Sequence, residues 1–278
     1  MRRPAARGRT RRTPSGAKAE VVDPAAEGGF DWAAEEYERA RPGYPRGALE
    51  HIVRELRLTP RSRVLDVAAG TGKLTRLLLD TGAHVVAVEP VAGMRRKLGI
   101  VCPDADVRDG RAEALPLPDE SVDAVTAAQA FHWFDATAAL AEFARVLRPG
   151  GGLALPYNAR DRQVAWVRSF DEILDRFQRE LAWSRPDLPD LVPLMAGAGA
   201  FTELQGATFP NSVPCTPDLL VALAASTSTV ASLDDERRSA CLEEVRALAR
   251  SHPDLAGRDR FELPHVTYVF WCSKLPRS

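Results

Sequence analysis

Two hydrophobic periods alternate along the first half of this chain. Short runs rich in Val, Leu and Ala, such as "RVLDVA", "HVVAVE" and "GLALPYN", are typical of strands buried on both faces of a sheet. Between them, "LTRLLLDTGA", "AGMRRKLGI" and "ATAALAEFARVL" carry apolar residues three and four positions apart, which predicts helices. This alternation favours right-handed βαβ units and therefore a doubly wound, mostly parallel α/β sheet.

Weaker patterns extend the alternation. "ADVRDG" predicts a short strand, and "SVDAVTAAQA" predicts another that runs into a loop. Towards the amino terminus, a helix is predicted from Asp31 to about Arg41, and "RGALEHIVRELRL" predicts a second helix after a break at "RPGYP". We therefore expect ordered structure to begin near Phe30.

The rhythm changes after Asn158. Residues 163–181 predict one amphipathic helix, and a Pro-rich stretch follows it. Further on, "TELQGATFPNSV" predicts a strand, "TPDLLVALAAST" and "DDERRSACLEEVRALARSH" predict helices, and "FELPHVTYVFWCSK" predicts a closing strand. We interpret this half as the last strands of the sheet plus helical insertions that cover a pocket.

Charge is unevenly distributed along the chain. The first 20 residues contain seven Lys or Arg and a single Glu, whereas the remainder carries 30 basic and 37 acidic residues. A basic arm can contact nucleic acid or a membrane, but the Pro and Gly content of this one favours a disordered leader. The acidic remainder argues against a nucleic-acid partner.

Composition argues against several other classes of protein. No apolar run approaches the ~20 residues of a membrane-spanning helix. The four cysteines lie far apart, and no cluster of His, Cys, Asp and Glu has the spacing of metal ligands. We therefore expect a cytoplasmic protein that needs neither a metal nor a membrane and that is a monomer or homodimer.

The stretch "AAGTG", residues 68–72, is predicted to connect the first strand to its helix, at the edge of the sheet where ligands bind. Gly70 and Gly72 would let the backbone approach a ligand closely. A phosphate, a nucleoside and a tight structural turn are all compatible with such a loop. A P-loop is excluded because its lysine pattern is absent, and Thr75 stands where the dinucleotide fingerprint has a third glycine.

Two acids accompany this loop. Glu89 ends the second predicted strand, where a carboxylate can accept hydrogen bonds from ribose hydroxyls; a solvated strand-end acid is the alternative interpretation. Asp66 ends the first strand, where a carboxylate can orient the loop amides or face a cationic ligand. Together with the glycines, these acids favour an adenosine-bearing ligand that need not carry phosphate.

Several ordered motifs are similar to one family. "LDVAAGTGKLT", "VVAVEP", "GRAEALPLPDESVDAV", "QAFHWFD" and "ARVLRPGG" resemble a class I S-adenosylmethionine-dependent methyltransferase, over Phe30 to Asn158. The resemblance is closest to the small-molecule branch that includes trans-aconitate methyltransferase-like proteins. It implies a Rossmann-like, seven-stranded methyltransferase fold and S-adenosylmethionine as the cofactor.

The resemblance implies cofactor-binding roles around the loop. Asp66, Gly70 and Gly72 would hold the methionine part of the cofactor, and Glu89 would bind the ribose diol. Ala68, also assigned to the cofactor site, stands where the family usually has the first glycine of the loop.

Further positions follow from the same resemblance. Pro90 and the start of the next helix would pack near the adenine, and Ala112 would present its backbone amide to the adenine edge. Arg111 stands where an acid or a small polar residue often meets the adenine amino group, so this contact departs from the family pattern. Gln129 would border the sulfonium and the acceptor space.

The segment "YERARPGYP" resembles the one that closes over the cofactor in this family. The resemblance therefore makes Tyr37, Arg41 and Tyr44 candidates for cofactor contact.

His132 is the candidate catalytic residue. A hydroxyl acceptor would need a general base, and a histidine titrates near neutral pH, whereas a carboxylate acceptor would need none. The alternative is that His132, followed by Trp133 and Phe134, simply lines the mouth of the pocket.

The sequence thus predicts a methyltransferase that moves a methyl group from S-adenosylmethionine to a carboxylate or hydroxyl oxygen of a small molecule. We expect a disordered basic arm over 1–29, a cofactor-binding core with cap helices over 30–158, and the last strands with substrate-covering insertions over 159–278. Two alternatives are a protein that binds S-adenosylmethionine or S-adenosylhomocysteine without transferring methyl, and an NAD-dependent oxidoreductase, against which the missing third glycine argues.

Overall fold

The computed structural model describes residues 42–179 and 191–276. The helix predicted from Asp31 to about Arg41 lies outside the described residues, as do the candidate cofactor residues Tyr37 and Arg41.

Helices and strands alternate as the hydrophobic pattern predicts. The helices are α1 (Arg46–Glu55), α2 (Lys73–Leu79), α3 (Ala92–Val101), α4 (Ala136–Val146), α5 (Ala165–Arg179), α6 (Leu191–Ala198), α7 (Pro217–Ala225), α8 (Ser228–Ala231) and α9 (Asp235–Ser251), with a 3₁₀ turn at Phe131–Trp133. The strands are β1 (Arg63–Val67), β2 (His84–Val88), β3 (Asp106–Arg108), β4 (Val122–Thr126), β5 (Leu147–Arg160), β6 (Gln205–Pro210), β7 (Val213–Cys215), β8 (Phe261–Leu263) and β9 (His265–Ser273).

A mostly parallel sheet organises the described part of the chain. It has seven strands in the order β3-β2-β1-β4-β5-β9-β6, and the neighbours from β3 to β5 are parallel. Only β9 runs against its two neighbours, β5 and β6. The predicted doubly wound, mostly parallel α/β fold is confirmed.

The apolar run of β1 explains why helices cover both faces. Successive strand residues point to opposite faces, so Val64 and Leu65 enter different cores. Val64 packs in a cluster with Ile52 of α1 and Leu78 of α2. Leu65 packs in another cluster with Phe143 of α4. Both valine and leucine are completely buried, as expected for a strand at the centre of a two-sided sheet.

Strands β5, β9 and β6 extend well beyond the parallel part of the sheet. Ala154 of β5 pairs with Thr126 of β4, which in turn pairs with Asp66 at the end of β1. Residues 155–160 continue for six more positions against β9, about 20 Å at ~3.3 Å per residue. This extension forms a wall at the edge of the sheet that carries the glycine loop.

A second hydrophobic core lies beside this extension. It joins α5, α7 and α9 to the small β7–β8 ribbon, through completely buried residues such as Phe170, Leu220, Val245 and Leu263. The predicted amphipathic helix corresponds to α5, and it contributes its apolar face to this core.

The prediction of a single closing strand for "FELPHVTYVFWCSK" is wrong. The structure divides it at Pro264 into β8, which pairs with β7, and β9, which enters the main sheet. Proline has no backbone N–H and therefore interrupts a ladder. The same residue type ends β6 at Pro210, so "TELQGATFPNSV" is also shorter than predicted as one strand.

Candidate functional site

The glycine loop lies between β1 and α2, at the carboxyl edge of the sheet. Gly70 has a φ of +59°, the left-handed region that glycine adopts without a steric penalty. A Cβ built on Gly70 would meet no atom within 4 Å. The backbone here therefore faces open space, and a ligand can lie directly against it.

A glycine is required at position 72 for a different structural reason. Its φ is +90°, and a Cβ there would come within 2.8 Å of both Cys102 Sγ and Leu98 Cδ1. The absent side chain lets α3 pack closely against the start of α2. A ligand contact at Gly72 remains a prediction, whereas its packing role follows from the geometry.

Ala68 adopts a left-handed conformation although it has a side chain. Its φ is +52°, a conformation that costs about 1–2 kcal/mol for a residue other than glycine. The loop therefore turns at Ala68 through a conformation that glycine adopts more readily, and Ala68 is half-buried within it.

Asp66 lies beneath the loop and is 1% exposed. Its Oδ2 accepts a hydrogen bond from Thr75 Oγ1 at 2.7 Å, and its Oδ1 accepts one from Thr126 Oγ1 at 2.9 Å. Burial raises the pKa of this carboxyl to about 6, against the opposing effect of the two hydroxyl donors. Asp66 thus ties the end of β1 to α2 and β4, and its contact with a cofactor remains a prediction.

Glu89 lies beside the loop and is 3% exposed. Its Oε2 accepts a hydrogen bond from the Gly70 N–H at 2.8 Å, and its Oε1 accepts one from the Val91 N–H at 2.9 Å. Burial raises the pKa of Glu89, while these two backbone donors and Arg95 oppose the rise. Each oxygen retains acceptor capacity for a hydroxyl, so the carboxylate can both shape the loop and bind a diol.

Arg95 supports this carboxylate and was not singled out from the sequence. Its Nη1 donates to the carbonyl oxygens of Glu89 at 2.7 Å and Pro90 at 2.9 Å, and lies 3.1 Å from Asp109 Oδ1. The signal that could have found it is its place in the first turns of the helix that follows Glu89. From there a long side chain can reach back to the strand end.

The residues predicted to border the adenine differ in exposure. Pro90 is exposed at the end of β2, whereas Ala112 is buried in the core beside α4. The Arg111 side chain is 67% exposed, and its Nε lies 3.6 Å from Glu113 Oε2. The backbone contact predicted for Ala112 stays a prediction.

Gln129 follows β4 and has a φ of +55°. The Ala127 and Gln129 N–H groups donate to the carbonyls of Ala154 and Pro156 in β5. The Gln129 Nε2 donates to the carbonyl of Asn158, two residues further along β5, at 2.9 Å. The side chain therefore replaces a backbone donor and completes the β4–β5 ladder where β4 turns away.

His132 lies on the 3₁₀ turn just after Gln129. Its half-buried ring has centroid distances of 5.0 Å to the Trp133 ring and 6.1 Å to the Tyr157 ring. The Tyr157 hydroxyl accepts hydrogen bonds from the backbone N–H groups of Phe131 and His132, and burial raises its pKa to about 12. This arrangement holds the histidine near Gln129. It is compatible with a base and equally with a pocket wall.

Of the predicted closing segment, Tyr44 falls within the described residues. It is half-buried and packs against the core that contains α1. Among residues 42–179 and 191–276, no group of three potential metal-ligating side chains is found. No described helix has the length and apolar character needed to cross a membrane.

Comparison with known proteins places this geometry in a family. A family model described as "Methyltransferase domain" matches residues 65–155. An uncharacterised methyltransferase of Mycobacterium tuberculosis is 40% identical over 238 residues, 86% of this chain and 92% of that protein. The malonyl-[acyl-carrier protein] O-methyltransferase of Methylococcus capsulatus is 45% identical over 101 residues, 34% of this chain and 37% of that protein.

A solved structure shares the fold. A candidate methyltransferase from an antibiotic biosynthesis pathway of Anabaena variabilis matches 83% of this chain and 98% of its own, with 23% identity and a TM-score of 0.60. The mycobacterial similarity extends over nearly the whole of both chains, and the sheet has the corresponding architecture. The chain therefore belongs to the class I S-adenosylmethionine-dependent methyltransferases.

Proposed function

We propose that this chain binds S-adenosylmethionine along the carboxyl ends of β1 and β2 and transfers its methyl group to an oxygen of a small molecule. The observation that carries the proposal is the hydrogen bond from the Gly70 N–H to Glu89 Oε2, next to open space above Gly70. It joins a bare backbone and a buried carboxylate at one place. These are the groups that an adenosine with an amino-acid end requires.

The described residues suit the cofactor in a definite division of roles. Glu89 would accept the ribose hydroxyls, and Gly70 with Ala68 would lie against the methionine part. Asp66 would keep the loop in shape through Thr75 and Thr126. Pro90 and the Ala112 backbone would border the adenine, and Gln129, whose Nε2 donates to the Asn158 carbonyl, would border the acceptor space beyond the sulfonium.

The acceptor is proposed to be a carboxylate or hydroxyl oxygen. When bound, the cofactor supplies a methyl group already activated by the sulfonium, so the chain has to position the acceptor in line with it. His132 would take the proton of a hydroxyl acceptor, or would line the pocket of a carboxylate acceptor. The O-methyltransferase name of the Methylococcus relative supports oxygen as the acceptor atom.

The partners follow from the same geometry. We propose that β5, β9 and the core around α5, α7 and α9 form the acceptor side of the site, within the region 159–278. A small-molecule acceptor suits the acidic balance of the chain beyond its basic first 20 residues better than a nucleic acid does.

Calorimetric titration with S-adenosylmethionine, S-adenosylhomocysteine and NAD tests the proposal. We expect the first two to bind and Glu89→Gln, which keeps the side-chain size but removes the charge and replaces one acceptor oxygen with an NH2 donor, to lose about 1.5–3 kcal/mol of binding free energy. Asp104→Asn is the matched control, because Asp104 is an exposed acid near the start of β3, at the opposite edge of the sheet. Equal weakening by both substitutions would contradict the assignment of Glu89.

Two outcomes would redirect the proposal. Binding of NAD instead of the sulfonium cofactor would indicate an oxidoreductase. Binding of the cofactor without turnover on carboxylic acids, hydroxy acids and phenols would favour a protein that binds it without transferring methyl.

A further inference from the structure

Four polar side chains meet where β5 leaves the parallel part of the sheet. They are Gln129 after β4, Asn158 of β5, Asn211 after β6 and Thr267 of β9. We call this group the polar hub. Thr267 is completely buried and Asn211 is 9% exposed, so their polar groups need partners within the protein.

The amide of Asn158 is the centre of the hub. Its Oδ1 accepts hydrogen bonds from Thr267 Oγ1 at 2.5 Å and from Asn211 Nδ2 at 3.0 Å. Its Nδ2 lies 3.0 Å from the Gly43 carbonyl and 3.2 Å from the Pro42 carbonyl. Two donors and two acceptors are thereby used, which is the full capacity of this side chain.

The hub connects separate parts of the chain. Asn211 Nδ2 also donates to the Gly43 carbonyl at 2.9 Å, so two side-chain amides hold the same carbonyl just before α1. The main-chain carbonyl of Asn158 accepts the Gln129 side chain. The entry of the chain into the core, the end of β5 and the loop after β4 are therefore held by one network.

We infer that Asn158 is a positioning residue for the acceptor side of the site. The hydrogen-bonding capacity of its side-chain amide is fully used, so Asn158 has no group left for a ligand. It acts instead by holding β5 in place where Gln129 docks. Through Gln129 it also holds the loop that bears His132. This inference rests on the proposed function, because it assigns that loop to the acceptor. Gly70 and Glu89, which are proposed to bind the cofactor, follow β1 and β2, and the Glu89 carboxylate accepts from the Gly70 and Val91 N–H groups rather than from the hub.

Hydrogen exchange and kinetics of Asn158→Ala test this role. Asn158→Ala keeps the main-chain carbonyl that accepts Gln129, but it removes the side-chain hydrogen bonds that hold the end of β5. Without ligand, we therefore expect amides 127–134, which dock on β5, to exchange about tenfold faster than in the wild type. Amides 64–72 should be unchanged, and the Kd for S-adenosylhomocysteine should stay within about twofold. On the most active acceptor of the panel above, KM for the acceptor should rise about tenfold while KM for S-adenosylmethionine stays within about twofold.

Two further variants complete the experiment. Thr267→Val removes one hub hydroxyl at nearly constant shape and should produce the same pattern in weaker form, even where Asn158→Ala folds poorly. Ser62→Ala is the matched control: Ser62 is buried, its Oγ accepts from the Thr59 N–H at 2.9 Å, and it lies at the opposite end of β1. It should lower stability without affecting amides 127–134.

The outcomes separate this inference from the proposed function. Wild-type exchange at 127–134 in both hub variants, or a loss of S-adenosylhomocysteine affinity as large as the loss at the acceptor, would overturn the role of Asn158. Absence of cofactor binding in the wild type would instead overturn the proposed function, and the exchange of the unliganded protein would still decide whether the hub positions the loop.

Discussion

At the residue scale, the two acids predicted from the sequence have distinct structural positions. Glu89 is buried beside the loop and uses both oxygens on backbone N–H groups, whereas Asp66 is enclosed between two threonine hydroxyls. Sequence reasoning identified both because each lies at the end of a buried strand. It did not identify the hydroxyl partners of Asp66, since Thr75 and Thr126 lie far apart along the chain and meet Asp66 only in the fold.

Asp66 makes stability depend on pH. Its pKa is about 6 in the fold against an ordinary 3.8, so the folded state holds its proton more tightly. The stabilisation is complete below the ordinary pKa and is lost as pH rises to about 6, by about 3 kcal/mol. Asp66→Asn keeps a donor and an acceptor for the two hydroxyls and should be more stable than the wild type at pH 8.

Urea unfolding at pH 5 and pH 8 checks this expectation. The stability advantage of Asp66→Asn over the wild type should be larger at pH 8 than at pH 5. A variant less stable than the wild type by the same amount at both pH values would show that the charged form of Asp66 is well accommodated.

At the element scale, the glycine loop meets two different requirements with the same residue type: open space for a ligand at Gly70 and close packing of α3 at Gly72. Gly70 faces open space, whereas Gly72 faces the thiol of Cys102 and the side chain of Leu98. Spacing alone could not distinguish them, because the packing of α3 against the loop depends on residues 26 to 30 positions further along. Pro264 and Pro210 differ from the glycines, because a proline interrupts a strand locally. The two strand breaks could therefore have been placed from the sequence alone.

The two glycines should therefore respond differently to alanine. Gly72→Ala combines a strained φ with a 2.8 Å overlap and should lose about 2–4 kcal/mol of unfolding free energy. Gly70→Ala should lose only about 1–2 kcal/mol from the backbone strain, but should weaken S-adenosylhomocysteine binding because its methyl group enters the ligand space. Denaturant unfolding and calorimetry of both variants measure the two effects, and equal stability losses would contradict the distinction.

At the scale of the whole molecule, the hydrophobic core of the sheet and the second core are separate clusters, and the end of β5 contacts the second one. The cluster around Phe143 packs β1, β4 and α4, and the cluster around Phe170 packs α5, α7 and α9. Both phenylalanines are completely buried. The Arg160 guanidinium at the end of β5 lies 5.1 Å from the Phe170 ring centroid and forms an ion pair with Asp171.

Removing either ring should affect different parts of the protein. Phe170→Ala and Phe143→Ala should each cost about 3–5 kcal/mol, the usual loss for a buried aromatic residue. Hydrogen exchange should increase in α5, α7 and α9 for Phe170→Ala, with little change in β1 and β2 and in S-adenosylhomocysteine affinity. Phe143→Ala should instead increase exchange in β1 and β4, and uniform increases in both variants would show one inseparable core.

The sequence by itself determined the strand–helix alternation, the glycine loop and the acid at the end of β2, because each is encoded by neighbours within a few residues. Tertiary structure decided what those signals could not contain. The Asn158–Thr267 and Asn211–Gly43 hydrogen bonds join residues more than 100 positions apart, and the extension of β5 beyond β4 depends on pairing with the last strand. Local pattern specifies which segment forms, whereas long-range burial of polar groups specifies what that segment holds in place.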